Sequence, residues 1–185
     1  MEIRVINYAD RWPLVKKAAM ITINKDSGKD PDSEWKKKIL MAEHSPIRLL
    51  KFDFVVHDIP YWVVMHIVRH HEGIDHFVGT QRTDRTGVDR ENLPQGALVS
   101  YMFEINAQAL ISISRKRLCR QAAKETRQFW SMVIDALRGF EPELCSVCVP
   151  ECVRDGFCPE MKSCGYIETE RFWEERALYI NRRGD

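Results

Sequence analysis

Hydrophobic residues recur along this chain at intervals that predict a few short strands and several amphipathic helices. Apolar positions within residues 3–6 indicate part of an opening strand, and the alternation over residues 49–56 predicts a second strand. Apolar side chains spaced three to five residues apart predict one long helix from Asn106 to Leu137, ended by Gly139. Shorter helices are predicted over residues 12–20, 34–42, 61–70 and 168–179.

Three segments interrupt these periodic patterns. Residues 73–90 are polar and rich in Gly, Thr and Asp, which predicts a long loop, and long ordered loops are often functional. Residues 91–102 are predicted to hold a short helix, and residues 140–166 are cysteine-rich and broken by Pro and Gly. With 185 residues, the chain is predicted to form a single domain over residues 1–185, of the α/β (α+β) class, with the cysteine-rich segment inside it.

Charge and hydropathy narrow the classes of partner. The net charge is +1, so no global basic field favours a nucleic acid polymer as a partner. No apolar run approaches the roughly 20 residues that span a bilayer, and the N-terminus lacks the apolar core of a signal peptide. A cytoplasmic location with no membrane partner is therefore expected.

Five of the six cysteines are concentrated in one short segment. In a cytoplasmic protein, cysteines are more often free thiols or metal ligands than disulfides. The spacing favours thiolate coordination of one zinc ion, with an iron–sulfur cluster or simple reduced thiols as alternatives. Cys119 stands apart and is expected in the core. The predicted metal ligands are Cys145, Cys148, Cys152, Cys158 and Cys164.

Imidazole and guanidinium groups occur at separated places, each beside an apolar stretch, which indicates one site for a polyanionic ligand. His44 stands 25 positions before the sequence Arg69-His70-His71, and Arg90, Asn106 and Arg117 follow. This order and spacing, over about residues 40–130, resembles the flavin-dependent thymidylate synthases (the ThyX family). A small antiparallel sheet with packed helices is the fold that the resemblance implies.

The central motif of that family reads Arg-His-Arg-x-x-Ser-x-Asn-Glu-x-Ser-x-Arg. Arg69 and His70 match its first two residues, and His71 replaces its second arginine. The later motif positions hold Ile74, His76, Phe77, Gly79 and Gln81. Thr80 and Arg82 lie one residue further along, where a one-residue insertion would let them supply the missing hydroxyl and guanidinium.

The second half of the resemblance follows the family's outline. Arg90 precedes Leu93-Pro94, and the segment 106–110 matches the family's Asn-Ala-Arg-x-Leu stretch except for Gln108. Arg117 stands at the family's Leu-Arg step, and Gln121 occupies the position of a usual flavin-contacting histidine.

The resemblance implies methylation of dUMP at C5, with FAD as cofactor, methylenetetrahydrofolate as carbon donor, NADPH as reductant, and a homotetramer with shared sites. Arg117 would polarise the uracil as the catalytic residue. The residues implied to contact FAD are His44, Arg69, His70, His71, Asn106 and Gln121. Those implied to contact the nucleotide are His66, Thr80, Gln81, Arg82, Arg90 and Arg117.

Simpler interpretations of the same residues remain open. The Arg69-His70-His71 sequence also suits the C-terminal end of a helix, where cations interact favourably with the helix dipole. Arg117 could belong to a solvated basic helix face, and His66 with His70 shows the i, i+4 spacing of zinc ligands. At the level of function, the alternatives are a catalytically impaired ThyX-fold protein that binds flavin or nucleotide, and a scaffold centred on a metal.

Overall fold

A computed structural model describes residues 1–26 and 28–181 of the chain. In this structure the chain folds around an antiparallel sheet. The order of the four strands is β1-β2-β4-β3, and each neighbouring pair is antiparallel. The strands are Glu2–Ile6 (β1), Lys51–Pro60 (β2), Ile74–Val78 (β3) and Leu98–Asn106 (β4). The predicted α/β class with a small antiparallel sheet is confirmed.

Helices pack on the sheet and continue beyond it in the second half of the chain. The α-helices are Trp12–Ile21 (α1), Ser33–Met41 (α2), Tyr61–Ile67 (α3), Thr83–Thr86 (α4), Ala107–Arg117 (α5), Lys124–Leu137 (α6), Pro142–Val147 (α7), Glu151–Asp155 (α8) and Glu170–Asn181 (α9). Short 3-10 turns occur at Ser45–Leu49, Arg90–Asn92 and Tyr166–Glu168. No helix in residues 1–26 and 28–181 is long and apolar enough to cross a membrane.

The core lies between one face of the sheet and α3, α5 and α6. Alternate residues of β2 point inward, as the predicted alternation requires, and Phe54 stacks on Phe103 of β4 with ring centroids 4.8 Å apart. Tyr101 continues the aromatic row along β4 and contacts Phe129 of α6. Burial of each such side chain contributes about 1.5–3 kcal/mol to the free energy of folding. This aromatic row therefore stabilises β4, which leads to the polar groups described below.

Two strands replace elements that the sequence pattern predicted differently. The predicted loop over residues 73–90 contains β3, and the predicted helix over residues 91–102 gives way to a 3-10 turn and β4. In β3 only Ile74 is fully buried, so its alternation is too weak to predict a strand without its partner. The backbone hydrogen bonds of β3 are supplied by β4, which is remote in sequence, and such pairing overrides local propensity.

The single long helix predicted over residues 106–137 is wrong, because the structure has two helices separated by residues 118–123. The Arg127 Nη1 atom donates to the carbonyl oxygens of Arg120 at 2.9 Å and Ala122 at 2.6 Å, groups freed by the break. The Trp130 indole donates to the Ser114 hydroxyl at 2.8 Å and ties α6 back onto α5. The apolar spacing continues across the break because both halves are amphipathic helices facing the same core.

Candidate functional site

Polar residues from three separate segments meet in an open cleft of about 450 Å³ at one end of the sheet. Helix α3 ends at Ile67, and Arg69 and His70 follow directly, so the chain leaves the helix with its polar side chains at the cleft. Asn106 ends β4 and caps α5, which forms the opposite wall. The lining residues are Arg48, Arg69, His70, His71, Glu72, Gly73, Asn106, Gln108, Ala109, Ser112 and Ile113.

Arg117, the last residue of α5, is a partly buried cation held by a neutral partner. Its Nε atom donates to the His70 Nε2 atom at 2.9 Å. Burial first, and the nearby Arg69 guanidinium second, lower the pKa of Arg117. Among residues 1–26 and 28–181, no ion pair includes Arg117, Arg69 or Arg48. Neighbouring guanidiniums without carboxylate partners form a site suited to an anion.

His70 is kept uncharged by its surroundings. Burial lowers its pKa to about 4, and the positive charge of Arg117 acts in the same direction. At neutral pH the ring therefore accepts from Arg117 through Nε2, which places its single proton on Nδ1.

A second histidine fixes the backbone beneath this pair. His76 lies on β3, and its Nε2 atom is 2.6 Å from the His70 carbonyl oxygen, which can only accept. Its Nδ1 atom lies 2.6 Å from the hydroxyl of the buried Tyr101, and in the neutral ring with its proton on Nε2 it accepts from that hydroxyl. The sequence pattern placed His76 only at an altered position of the central motif and did not predict this structural role.

Gly73 and Asn106 close the base of the cleft through a tight backbone contact. Asn106 N donates to the Gly73 carbonyl at 2.9 Å, and the Asn106 side chain accepts from Ala109 N at 2.9 Å. Gly73 has φ of +72°, and a Cβ atom there would lie 2.4 Å from the Asn106 Nδ2 atom. Glycine is therefore required by both its dihedral angle and its contact.

Two other predicted cofactor contacts lie elsewhere. His44 is exposed at the start of the 3-10 turn Ser45–Leu49 and does not line the cleft. Arg48, which lies within that turn, lines the cleft. Gln121 donates to the Lys162 carbonyl at 2.6 Å and so joins the segment after α5 to the cysteine-rich segment.

None of the predicted nucleotide contacts is among the residues that line the cleft, although Arg117 is bonded to His70, which does line it. His66 is bonded through Nδ1 to the Thr126 hydroxyl at 2.9 Å, and burial, then Arg117 and Arg69, lower its pKa. The others are exposed or partly exposed on the segment after β3 and do not line the cleft: Thr80, Gln81, Arg82 and Arg90. Arg82 forms an ion pair with Asp84 at 2.8 Å.

The altered motif positions do not fill the cleft. Ile74 is buried in the core, and Phe77 points outward with 59% of its surface exposed. Arg115, in the same basic run as Arg117, is mostly buried, with 14% of its side chain exposed, and pairs with Glu43. The basic run at the end of α5 is therefore not a simple solvated face.

A larger cavity, of about 680 Å³, lies among α6, α7 and α9, but its cations are already engaged. Arg138 pairs with Asp135, and Arg171 pairs with Glu175. Arg127 donates to two carbonyl groups, and the Arg120 guanidinium lies 3.9 Å from the centre of the Tyr166 ring. The smaller cleft is therefore the better candidate for binding an anion.

The five cysteines predicted to bind zinc do not converge. Cys145 is buried and its thiol donates to the Ile134 carbonyl at 3.2 Å, and Cys148 is buried against α5, so burial raises the pKa of both thiols. Cys152, Cys158 and Cys164 line a different small cavity together with Cys119. In the described part of the chain, no group of three or more His, Cys, Asp or Glu side chains could hold a metal ion. The predicted five-cysteine zinc set and the His66–His70 zinc alternative are therefore not supported.

Comparison with solved structures identifies the fold. The chain resembles thymidylate synthase X (ThyX) from Helicobacter pylori, solved with FAD and dUMP, with TM-score 0.67, 16% identity, and 80% of this chain and 99% of that chain covered. A UMP/dUMP methylase from Streptomyces cacaoi, bound with 5-Br dUMP, gives TM-score 0.63 and 15% identity, with 79% and 93% covered. No family model and no curated protein matches the sequence. The chain thus has a ThyX-like fold.

Proposed function

We propose that this chain binds FAD and a pyrimidine nucleotide and methylates dUMP, or a related pyrimidine deoxynucleotide, at C5. Methylenetetrahydrofolate would supply the carbon and NADPH the reducing equivalents. The observation that carries the proposal is the Arg117–His70 pair beside Arg69, a partly buried cationic site in which neither arginine forms an ion pair with a described residue, in a ThyX-like fold. The solved relatives that hold FAD and dUMP, or 5-Br dUMP, support the choice of ligands.

The donors of the cleft fit the pyrophosphate of FAD. Arg48, Arg69 and His71 supply guanidinium and imidazole groups, and Asn106 supplies a side-chain amide, whereas the Gln108 amide already donates to Glu43. Guanidinium groups bind phosphate oxygens in bidentate, charge-assisted pairs, so a dianionic group is well matched to this wall. When bound, FAD in its reduced form would supply the hydride.

Arg117 would stabilise the negative charge that develops on the uracil during methylation. Its position is fixed by the hydrogen bond to His70, which is itself fixed through His76 and Tyr101. Because His70 remains neutral, it orients the guanidinium without adding a second positive charge. A preorganised cation in a partly desolvated site is the arrangement that gives electrostatic stabilisation its large effect.

The remaining nucleotide contacts are proposed to come from a second copy of the chain in a homotetramer. Thr80, Gln81, Arg82 and Arg90 lie on an exposed segment outside the cleft of their own chain. A symmetric assembly can bring this segment to the cleft of a neighbour, which would make each site from two chains. Light scattering should then give about four times the 21.7 kDa mass of one chain.

The direct test is a titration with FAD, followed by release of tritium from dUMP labelled at C5. We expect flavin absorbance to copurify or to saturate on titration, and tritium release to require FAD, methylenetetrahydrofolate and NADPH together. Binding of FAD and dUMP without tritium release would contradict the enzymatic proposal and favour a binding protein. Absence of flavin binding would contradict both.

Mixed assemblies test the shared site separately. Arg117→Ala and Arg82→Ala chains should each bind dUMP weakly alone. If the two residues serve the same site from different chains, mixing after reversible dissociation should restore about a quarter of the sites. Assemblies mixed from two Arg117→Ala preparations are the control. No recovery in the mixed sample would place both residues in the site of one chain or remove Arg82 from it.

A further inference from the structure

Among the described residues that line the candidate cleft, Glu72 carries the only carboxylate. Its side chain forms no ion pair and no hydrogen bond with the described part of the chain. Glu43, a nearby carboxylate outside the cleft lining, accepts from the Gln108 amide at 2.6 Å and pairs with Arg115. The fold therefore supplies partners for Glu43 but leaves the Glu72 carboxylate available to a ligand.

The backbone holds Glu72 between two anchored residues. On one side, the His70 carbonyl accepts from the Nε2 atom of His76 at 2.6 Å. On the other side, the Gly73 carbonyl accepts from the Asn106 backbone N–H at 2.9 Å. The segment that carries Glu72 is thus fixed before a ligand binds, and a preorganised contact loses less entropy on binding.

The cations of the cleft remain separate from this carboxylate. Arg48, Arg69 and His71 line the same space of about 450 Å³, and none of them forms an ion pair with Glu72. A ligand that carried only anionic groups would meet electrostatic repulsion from Glu72. Because an ionised carboxylate can only accept hydrogen bonds, the lining as a whole matches a ligand that has both anionic groups and hydrogen-bond donors.

A phosphorylated ribose combines these two features. Its phosphate oxygens suit guanidinium groups, and its 2′ and 3′ hydroxyls can donate to the two oxygens of one carboxylate. An acidic side chain binds a ribose hydroxyl in this way in folds that bind nicotinamide dinucleotides. A deoxyribose lacks the 2′ hydroxyl, so dUMP offers only one of the two donors.

We propose that Glu72 accepts hydrogen bonds from the neighbouring 2′ and 3′ hydroxyls of a ribose whose phosphate binds Arg48 and Arg69. The inference rests on the proposed function, because it assumes that the cleft binds a nucleotide. Such a ribose can come from the adenosine half of FAD or from a pyrimidine ribonucleotide in place of dUMP. Glu72 stands at a position for which the family motif specifies no residue, so the contact is a feature of this chain and not of the motif.

Two pairs of ligands that differ only in the 2′ hydroxyl test this contact by titration calorimetry. ADP and 2′-deoxy-ADP represent the adenosine half of FAD, and UMP and dUMP represent the substrate. We expect the unaltered chain to bind the ribose member of at least one pair about tenfold more tightly, because a hydrogen bond to a charged acceptor is gained. A preference within the ADP pair assigns the hydroxyls to FAD, and one within the UMP pair assigns them to a ribonucleotide substrate. Equal affinities within both pairs would overturn the inference.

Glu72→Gln should reduce this preference to about twofold, because a neutral amide accepts more weakly than a carboxylate. Asp75→Asn is the matched control, since Asp75 is exposed on β3 and does not line the cleft, and its preference should equal that of the unaltered chain. Glu72 is also exposed, so both variants should fold.

The result that contradicts the contact differs from the one that contradicts the proposed function. Tighter binding of every ligand by Glu72→Gln, with the ribose preference unchanged, is expected of a carboxylate that only repels phosphate, and it would overturn the inference. FAD binding by the unaltered chain in the same experiments would leave the proposed function standing. Absence of binding of FAD and of all four nucleotides to the unaltered chain would overturn both.

Discussion

One buried and one partly buried charged side chain in this molecule differ in whether the fold itself supplies their partners. Glu141, 1% exposed, accepts from the Trp12 indole at 2.8 Å and from the Tyr8 hydroxyl at 3.0 Å. Arg117 is partly buried, donates to a neutral His70, and has another cation, Arg69, as its main electrostatic neighbour. The Glu141 carboxylate has donors from its own chain, whereas the Arg117 guanidinium has no acceptor of opposite charge among the residues that the structure describes.

This difference separates a structural group from a candidate ligand-binding group. Glu141 joins the start of the chain to the start of α7, and it needs nothing further once the fold has formed. Arg117 is partly buried and forms no ion pair among the described residues, and an anionic ligand would offset the desolvation cost of its charge. A buried charge whose partners all belong to the fold indicates stability, and one without a counter-charge indicates binding.

The largest expected effect tests the structural side of the comparison. Glu141→Ala leaves the Trp12 and Tyr8 donors without their acceptor, and we expect a loss of about 2–4 kcal/mol in the free energy of unfolding. Urea denaturation measures this. Affinity of the folded variant for nucleotide should be unchanged. Glu143→Ala, two residues further along the chain, is the control, with a change of about 0.5 kcal/mol or less. Equal effects of the two substitutions would show that the Glu141 cluster is not structural.

Arg117→Ala tests the candidate ligand-binding group, and it should change nucleotide affinity rather than the free energy of unfolding. Loss of a charge-assisted contact with phosphate or uracil should weaken dUMP binding by about 2–3 kcal/mol, or roughly 30–150-fold. The free energy of unfolding should be unchanged or higher, because a cation without a counter-charge is removed from a partly buried position. Isothermal titration and urea denaturation of the same samples measure the two quantities.

Arg138→Ala provides the matched control for that substitution, because Arg138 is exposed and already paired with Asp135. It should change neither nucleotide affinity nor stability by more than about 1 kcal/mol. A large loss of stability in Arg117→Ala without a change in nucleotide affinity would show that the Arg117–His70 pair is structural. Arg117 and Glu141 would then not differ in role.

The sequence predicts the parts of the molecule whose determinants are local. The strand over residues 49–56, the helix after Pro60 and the last helix all have their own apolar periodicity, and all three are present. Strand β3 depends on hydrogen bonds from β4, and the break after Arg117 depends on packing of α6 onto α5. Neither leaves a periodic signal in its own segment.

The candidate site likewise contains residues that the sequence pattern indicated and residues that only distant contacts bring there. Arg69, His70, His71 and Asn106 reach one cleft, as their order along the chain indicated, although their roles stay predictions. The role of His76 depends on Tyr101, 25 residues away, and Cys119 joins the other thiols only through contact between α5 and α8. Residues that act through such distant contacts cannot be selected by spacing alone.

The smallest expected effect is a dependence of stability on pH that originates at His70. Histidine ordinarily titrates near pH 6.5, whereas burial and then Arg117 lower the pKa of His70 to about 4 in the folded chain. Between these values the unfolded chain binds a proton that the folded chain does not. The free energy of unfolding therefore includes the full contribution of neutral His70 above about pH 6.5 and loses it as the pH falls towards 4.

Urea denaturation at pH 7.5 and pH 5.0 measures this loss, and His70→Asn should remove the part that His70 contributes. Arg117→Ala should raise the pKa of His70 towards its ordinary value and narrow the window, because one of the charges that oppose protonation is gone. Since the imidazole is partly solvated, screening keeps the effect below those of the other two substitutions. NMR titration of the His70 ring with a midpoint near 6.5 in the unaltered chain would show that the Arg117–His70 pair is more hydrated than the cleft geometry implies.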